Sequence, residues 1–228
     1  MYGLLTLEDR TKFKIRLDVK PVTDTHMIYE TWERHDYNPT GFTIGDRYCV
    51  IDIGAHIGAF TVFAAKYAKH GQVYAYEPHP ENFQLLKENI ALNGLKNIQT
   101  FNLGVGGHNG ESKLYIDEAN NAGHSMFNVT DSSIVMQLIS LSSIFEDNEL
   151  EYCDLLKIDC EGAEYEILFN APGVILDKIG SIAMEYHNGM YRKKTVQDMV
   201  KLLRDNHFAV QLPTPKASQG LLYAKKRQ

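Results

Sequence analysis

The chain has 228 residues, a formal net charge of -6, 44% hydrophobic and 23% charged residues, which leaves room for one α/β domain with a substantial core and excludes a disordered polymer. The negative charge offers no bulk attraction to a polyanion, so nucleic acid is not the expected partner. Three cysteines without zinc-type spacing (Cys49, Cys153 and Cys160) suit reduced thiols in a cytoplasmic protein, and the absence of any long apolar run argues against a leader or a membrane span.

Residues 1–45 read as an N-terminal extension. Alternating charged and apolar positions predict a strand over 12–19, pairing with 4–7 as a hairpin, and Asp24 is placed to cap a short helix running through Ile28 and Trp32 toward Tyr37. Residues 46–228 read as the main domain. The apolar run 48–53 carries a single acid, as a strand buried on both faces does, and 58–70 follows as a helix. A short strand over 72–76 precedes an amphipathic helix over 80–93, with Phe83, Leu86 and Ile90 on one face and Asn93-Gly94 as its stop. Strands are expected at 98–103 and 114–116, a polar stretch with little periodicity at 117–133, and a buried strand at 155–159. A helix over 165–169, a strand at 182–185, a helix capped by Thr195 and a closing hairpin of 209–212 with 221–224 complete the chain. This strand–helix alternation from Tyr48 onward is what a doubly wound, Rossmann-like α/β sheet requires, and in such sheets ligands sit beyond the carboxyl ends of the strands.

The first such end is Asp52-Ile53-Gly54-Ala55-His56-Ile57-Gly58. Two glycines four apart permit a sharp turn and close backbone approach, but the G-x-G-x-x-G pattern of a dinucleotide site is missing. Asp52 would repel a pyrophosphate and would complement the ammonium and sulfonium charges of S-adenosylmethionine. Glu77, ending the next strand, is positioned to accept hydrogen bonds from both ribose hydroxyls. After the strand at 155–159, Asp159 and Glu161 stand two residues apart and would project to one side, close enough to perturb each other's ionisation. Glu185 and His187 end the following strand. Glu164 reads most simply as an acid favoured by a helix N-terminus.

Together, residues 50–58, Tyr76-Glu77-Pro78 and the Asp159-Cys160-Glu161-Gly162-Ala163-Glu164 segment resemble the FkbM family of methyltransferases, over roughly residues 30–187. Glu30 and Tyr37 also fall where that family often carries a glutamate and an aromatic. The resemblance implies a seven-strand methyltransferase fold and methyl transfer from S-adenosylmethionine, usually to a hydroxyl oxygen of a sugar or natural product. His56 stands where the family commonly has Asn, and Leu103-Gly104-Val105-Gly106-Gly107 departs from its usual alanine-containing segment.

The cofactor-binding set is therefore Tyr37, then Asp52, Gly54, Ala55, His56, Gly58, Phe60 and Thr61, then Glu77, Pro78 and Asn82, with Gly104 and Asp159. Proton removal from an acceptor hydroxyl falls to Asp159 or Glu161, and behind them His187, with His124 and His108 as weaker candidates. Asp159, Glu161, Glu185 and His187 would also suit a divalent ion, but no metal site is assigned. Two other readings stay open: a tRNA-modifying methyltransferase, and a non-catalytic module that binds the cofactor. The acceptor is sought in 109–133 and 190–194, and Tyr186, Tyr191 and Met190 could line a surface or simply pack the core. No motif there names it or an oligomeric state.

Overall fold

The computed structural model describes residues 1–17, 23–117, 123–213 and 218–227. β1 (Tyr2–Thr6) and β2 (Lys12–Arg16) form the expected antiparallel hairpin, with Tyr2 opposite Arg16. β2 stops at Arg16; positions 18 and 19 of the expected strand lie outside the described residues. Asp24 is not a cap. It sits in the first turn of α1 (Thr23–Trp32), where its carboxylate accepts from the Arg16 guanidinium at 2.8 Å and from the Arg16 backbone N–H at 2.8 Å. The hairpin and α1 are thereby tied together, and α1 ends five residues short of Tyr37. Phe13, Ile15 and Ile28 then pack on Ile57, Val62 and Leu85 of the main body.

β3 (Cys49–Ile53) is followed by α2 (Ala59–Tyr67), β4 (Gln72–Tyr76), α3 (Pro80–Leu92) and β5 (Ile98–Phe101). Next come β6 (Gly104–Gly106), β7 (Gly110–Tyr115) and β8 (Ser133–Ser140), which make a small sheet of their own in the order β6-β8-β7. Sequence reasoning missed β6 and β8. Ser140 caps α4 (Leu141–Asp147), accepting from the Ser143 N–H. β9 (Cys153–Ile158), α5 (Glu164–Asn170), the short α6 (Gly173–Leu176) and β10 (Ile179–His187) return the chain to the main sheet. α7 (Val196–Asp205) opens on a Thr195–Asp198 capping box, and β11 (Phe208–Gln211) and β12 (Gln219–Lys226) form the closing hairpin.

The main sheet has seven strands in the order β11-β12-β10-β9-β3-β4-β5, with β12 antiparallel to both neighbours and the central strands parallel. From β3 the chain winds outward through β4 and β5, then crosses back to β9 and β10. The switch in winding direction therefore lies between β3 and β9, and ligands of such sheets bind beyond the strand ends at that point. Apolar clusters cover both faces: one includes Ile51, Leu156 and Met184, the other Val50, Leu155 and Ala183. Tyr186 and Tyr191 belong to the first cluster, so they pack the core. The three cysteines are free thiols. Among the described residues no helix is long and apolar enough to cross a membrane.

Candidate active site

The loop after β3 turns at Gly54, whose N–H, with that of Ala55, donates to the Tyr76 carbonyl at the end of β4. Gly54 has φ +75°, and a Cβ there would lie 1.7 Å from the Asp159 backbone oxygen. Gly58, at φ +91°, opens α2; its Cβ would come within 2.7 Å of Leu86. Both glycines are thus demanded by protein neighbours, whereas the sequence suggested close approach of a ligand. The loops after β3 and β9 touch backbone to backbone.

Asp52 does not line the crevice. It is fully buried, accepts a 2.5 Å hydrogen bond from the Thr61 hydroxyl, and lies 3.1 Å from the Lys157 ammonium. Lys157, itself buried, also donates to the Gly54 carbonyl at 2.7 Å and the Ile53 carbonyl at 3.3 Å. Burial works against its charge, but Asp52 and Asp159 outweigh that and hold its pKa above the ordinary value. The expectation that the Asp52 charge faces a cationic ligand is therefore corrected: that charge is met inside the protein. Lys157 was not singled out from sequence, because its partner lies on a neighbouring strand.

Glu77 sits past the end of β4. Its carboxylate accepts from the backbone N–H of His56 at 2.8 Å and of His79 at 2.9 Å, and from the Asn82 amide at 3.4 Å. Burial nevertheless raises its pKa to about 7, against the effect of those bonds. His56 has positive φ and is buried, and burial lowers its pKa to about 4. Its Nε2 lies 3.2 Å from an Arg16 guanidinium nitrogen, which can only donate, so the neutral ring carries its proton on Nδ1. That Nδ1 has no partner among the described residues.

After β9, Asp159 Oδ2 accepts a 2.8 Å hydrogen bond from the Tyr37 hydroxyl. Tyr37 is buried edge-on to Phe60, and burial together with Asp159 pushes its phenol well above the usual range. Glu161 has φ +51°; burial raises its pKa to about 7, His187 opposing and Asp159 reinforcing that rise. Glu185 on β10 is pushed up to about 8 by burial and by Asp159. Glu30 on α1 is raised by burial, although His26 lies 3.1 Å away. His187 lies between carboxylates, with Nδ1 3.1 Å from Glu164 and Nε2 3.5 Å from Glu161. Burial disfavours its charge, but Glu164 and Glu161 prevail and raise its pKa to about 10. It stands behind the cavity wall with both ring nitrogens turned to carboxylates, an arrangement that does not suit the expected role of base.

These groups surround a cavity of about 510 Å³, within the range of small-molecule sites. Of the sequence-predicted residues, Gly54, His56, Glu77, Pro78, Asn82, Gly104, Asp159 and Glu161 line it. Tyr37, Asp52, Ala55, Gly58, Phe60, Thr61 and His187 stand behind that wall. Glu77 marks one end, Asp159, Glu161, Glu185 and Glu30 the other, and Leu103, Val105, Leu114 and Met136 supply an apolar wall. His124 also lines it, its ring tilted 40° against that of His79 with centroids 4.4 Å apart, whereas His108 stands apart from the cavity beside Glu166. Among the described residues no group of three or more His, Cys, Asp or Glu side chains is arranged to hold a metal ion.

The methyltransferase FkbM domain matches residues 52–210. The chain belongs to the FkbM methyltransferase family. Curated relatives include Methyltransferase 1 of Beauveria bassiana, 25% identical over 73% of this chain and 74% of that protein, and the hexuronic acid methyltransferase AglP of Haloferax volcanii, 25% identical over 70% and 68%. Among solved structures, the methyltransferase FkbM of Methylobacillus flagellatus has a TM-score of 0.58 at 17% identity; the match covers 87% of this chain and about half, 47%, of that one. TYW2 of M. jannaschii, in complex with AdoMet, has a TM-score of 0.51 at 15% identity over 98% and 84%. At these identities the structures bear out the Rossmann-like methyltransferase fold. In this FkbM methyltransferase, sequence reasoning also underrated Glu164, whose Oε1 gathers the Cys160 and Gly162 N–H groups as well as His187.

Proposed function

We propose that the chain moves a methyl group from S-adenosylmethionine to a hydroxyl oxygen of a sugar or natural-product-like small molecule. The observation that carries this reading is the cavity with two chemically different ends at the β3/β9 switch point. The cofactor fits its donor set. Ionised Glu77 would accept from the ribose hydroxyls, the Leu103–Val105–Met136 wall suits a purine face, and the His56 Nδ1–H is a buried donor left without a partner in a ring that lines the cavity. The acids at the far end suit a ligand bearing ammonium and sulfonium charges. The AdoMet-bound TYW2 supports the choice of cofactor, and AglP, named for a hexuronic acid, supports a sugar.

When bound, the cofactor supplies an electrophilic methyl carbon already activated by its sulfonium. The protein contributes alignment, exclusion of water and removal of the acceptor proton. Glu161 is the base: it lines the cavity, and a pKa of about 7 matches proton abstraction near neutrality. Asp159, held by Tyr37, orients the acceptor hydroxyl. Residues 1–45 act as an extension that lends Tyr37 and Glu30 to the 46–228 domain.

Calorimetry with S-adenosylmethionine and S-adenosylhomocysteine tests the cofactor, and transfer of labelled methyl to a panel of sugars and alcohols tests the acceptor. Glu161→Gln is expected to bind cofactor normally and lose turnover at least about 100-fold. No binding of either cofactor form would overturn the reading. Normal turnover in both Asp159→Asn and Glu161→Gln would overturn the assignment of the base.

A further inference from the structure

Glu161 reaches the cavity from a loop that has little secondary structure of its own. Two successive left-handed residues, Glu161 at φ +51° and Gly162 at φ +105°, reverse the chain between β9 and α5. That reversal aims the N–H groups of Cys160 and Gly162 back at Glu164 Oε1, at 3.2 and 3.1 Å. Glu164 is completely buried and is absent from the cavity wall. The same oxygen lies 3.1 Å from His187 Nδ1 at the end of β10, and His187 Nε2 lies 3.5 Å from Glu161 Oε2. The Ser125 hydroxyl fixes the loop from the other side by donating to the Glu161 carbonyl. A carboxylate, an imidazole and a second carboxylate therefore stand in a row, running from the core to the cavity.

We propose that Glu164 and His187 are positioning residues, which aim the Glu161 carboxylate into the cavity and stabilise its ionised form. This rests on the reading of Glu161 as the base. The groups facing Glu161 are Asp159 on its own loop, Glu164 on α5, Asp117 after β7, and Glu185 and His187 on β10. His187 is the cation among them. Both of its nitrogens face carboxylates, and a ring behind the cavity wall has no access to an acceptor proton. Its charge is what permits an ionised Glu161 beside four other acids. Glu164 in turn keeps His187 charged, since a buried imidazolium needs a carboxylate partner.

The test uses the whole chain with Glu164→Gln and His187→Gln. Glutamine at 164 keeps an oxygen for the two loop N–H groups and removes only the charge. Imidazole carbon and nitrogen NMR of the cofactor-free protein, with His187→Gln assigning the signal, reads the ring directly. The His187 resonances are expected to stay those of an imidazolium from pH 6 to about 8.5, and in Glu164→Gln to titrate near the ordinary value of about 6.5. Titration of His187 near 6.5 in the parent protein would overturn the proposal.

In methyl transfer to whichever panel sugar the parent accepts, the acid limb of the kcat/KM profile is expected to move up by about 1 to 2 pH units in His187→Gln. Calorimetric affinity for S-adenosylhomocysteine should stay within about threefold. An unmoved acid limb in a variant that melts like the parent would assign His187 a purely structural role and overturn the proposal. Failure of the parent to bind cofactor would instead sink the proposed function and leave the NMR result standing.

Discussion

Replacing Lys157 by Met removes one half of an ion pair that water does not reach. Lys157 is 2% exposed and Asp52 is 0% exposed, and their charged atoms are 3.1 Å apart. The Asp52 oxygen facing Lys157 makes no aligned hydrogen bond, so it depends on the ammonium's charge rather than on a directed proton. Methionine fills similar volume, and the transfer of its apolar chain costs little; the loss is the uncompensated carboxylate left behind. Breaking such a buried pair costs about 3–5 kcal/mol, and in a domain of this size each kcal/mol lowers the melting temperature by about 2–4 °C. Lys157→Met is therefore expected to melt about 6–20 °C below the parent. Asp52→Asn combined with Lys157→Met removes both charges and should recover at least half of the loss. Urea unfolding of the parent, both single variants and the double variant closes the cycle. A loss under about 1 kcal/mol in Lys157→Met, or strictly additive effects, would refute the account of Asp52 as an internal counter-charge.

Glu77→Gln should weaken S-adenosylmethionine binding about 10–100-fold in calorimetry, the worth of one to two charged hydrogen bonds. It should also be less stable than the parent by about 1–3 kcal/mol, because its NH2 must face the buried N–H of either His56 or His79. Affinity for the cofactor should also fall as pH drops below about 7, because protonation of Glu77 removes acceptor capacity. Stability has its own pH dependence. Glu77 and Glu161, raised to about 7, and Glu185, raised to about 8, contribute stability that is complete below their unfolded values and lost as pH rises through the folded ones. His187, raised to about 10, acts in the same direction, so the melting temperature should be lower at pH 9 than at pH 6.5. His56 and His124, lowered to about 4 by burial, oppose this only in the more acidic range. Gly54→Ala is expected to yield little folded protein, since its Cβ meets backbone rather than a yielding side chain; normal expression and melting would count against the close crossing.

The central strands and long helices were legible because their patterns are local. The 48–53 run differs by one residue from β3, and the helix predicted over 80–93 is α3, Pro80–Leu92. β8 was not legible: it is covered on one face only, and its partners are a three-residue strand and an antiparallel strand that ends at Tyr115, 18 residues earlier in the chain. Such pairing is decided by distant segments. The site divides in the same way. Glu77, Asp159 and Glu161 could be located by their places at strand ends, and they do line the cavity. The pairing of Asp52 with Lys157 and of Glu164 with His187 depends on which strands adjoin, and that information is absent from any window of the sequence. Asp24 shows the same limit at short range, since a favourable capping residue was drawn into a pair with Arg16.

The contact between Gly54 and the Asp159 carbonyl has a practical consequence for anyone wishing to redirect this scaffold. The two loops share one seam, so neither can be exchanged as a separate cassette. A graft that brings new residues to the 159–164 turn must reproduce the path of its first carbonyl to within a few tenths of an ångström, or the loop after β3 will shift with it. Libraries that diversify 161 and the side chains opposite it, while leaving the backbone of 54 and 159 untouched, should yield many more folded variants than libraries that vary the length of either loop.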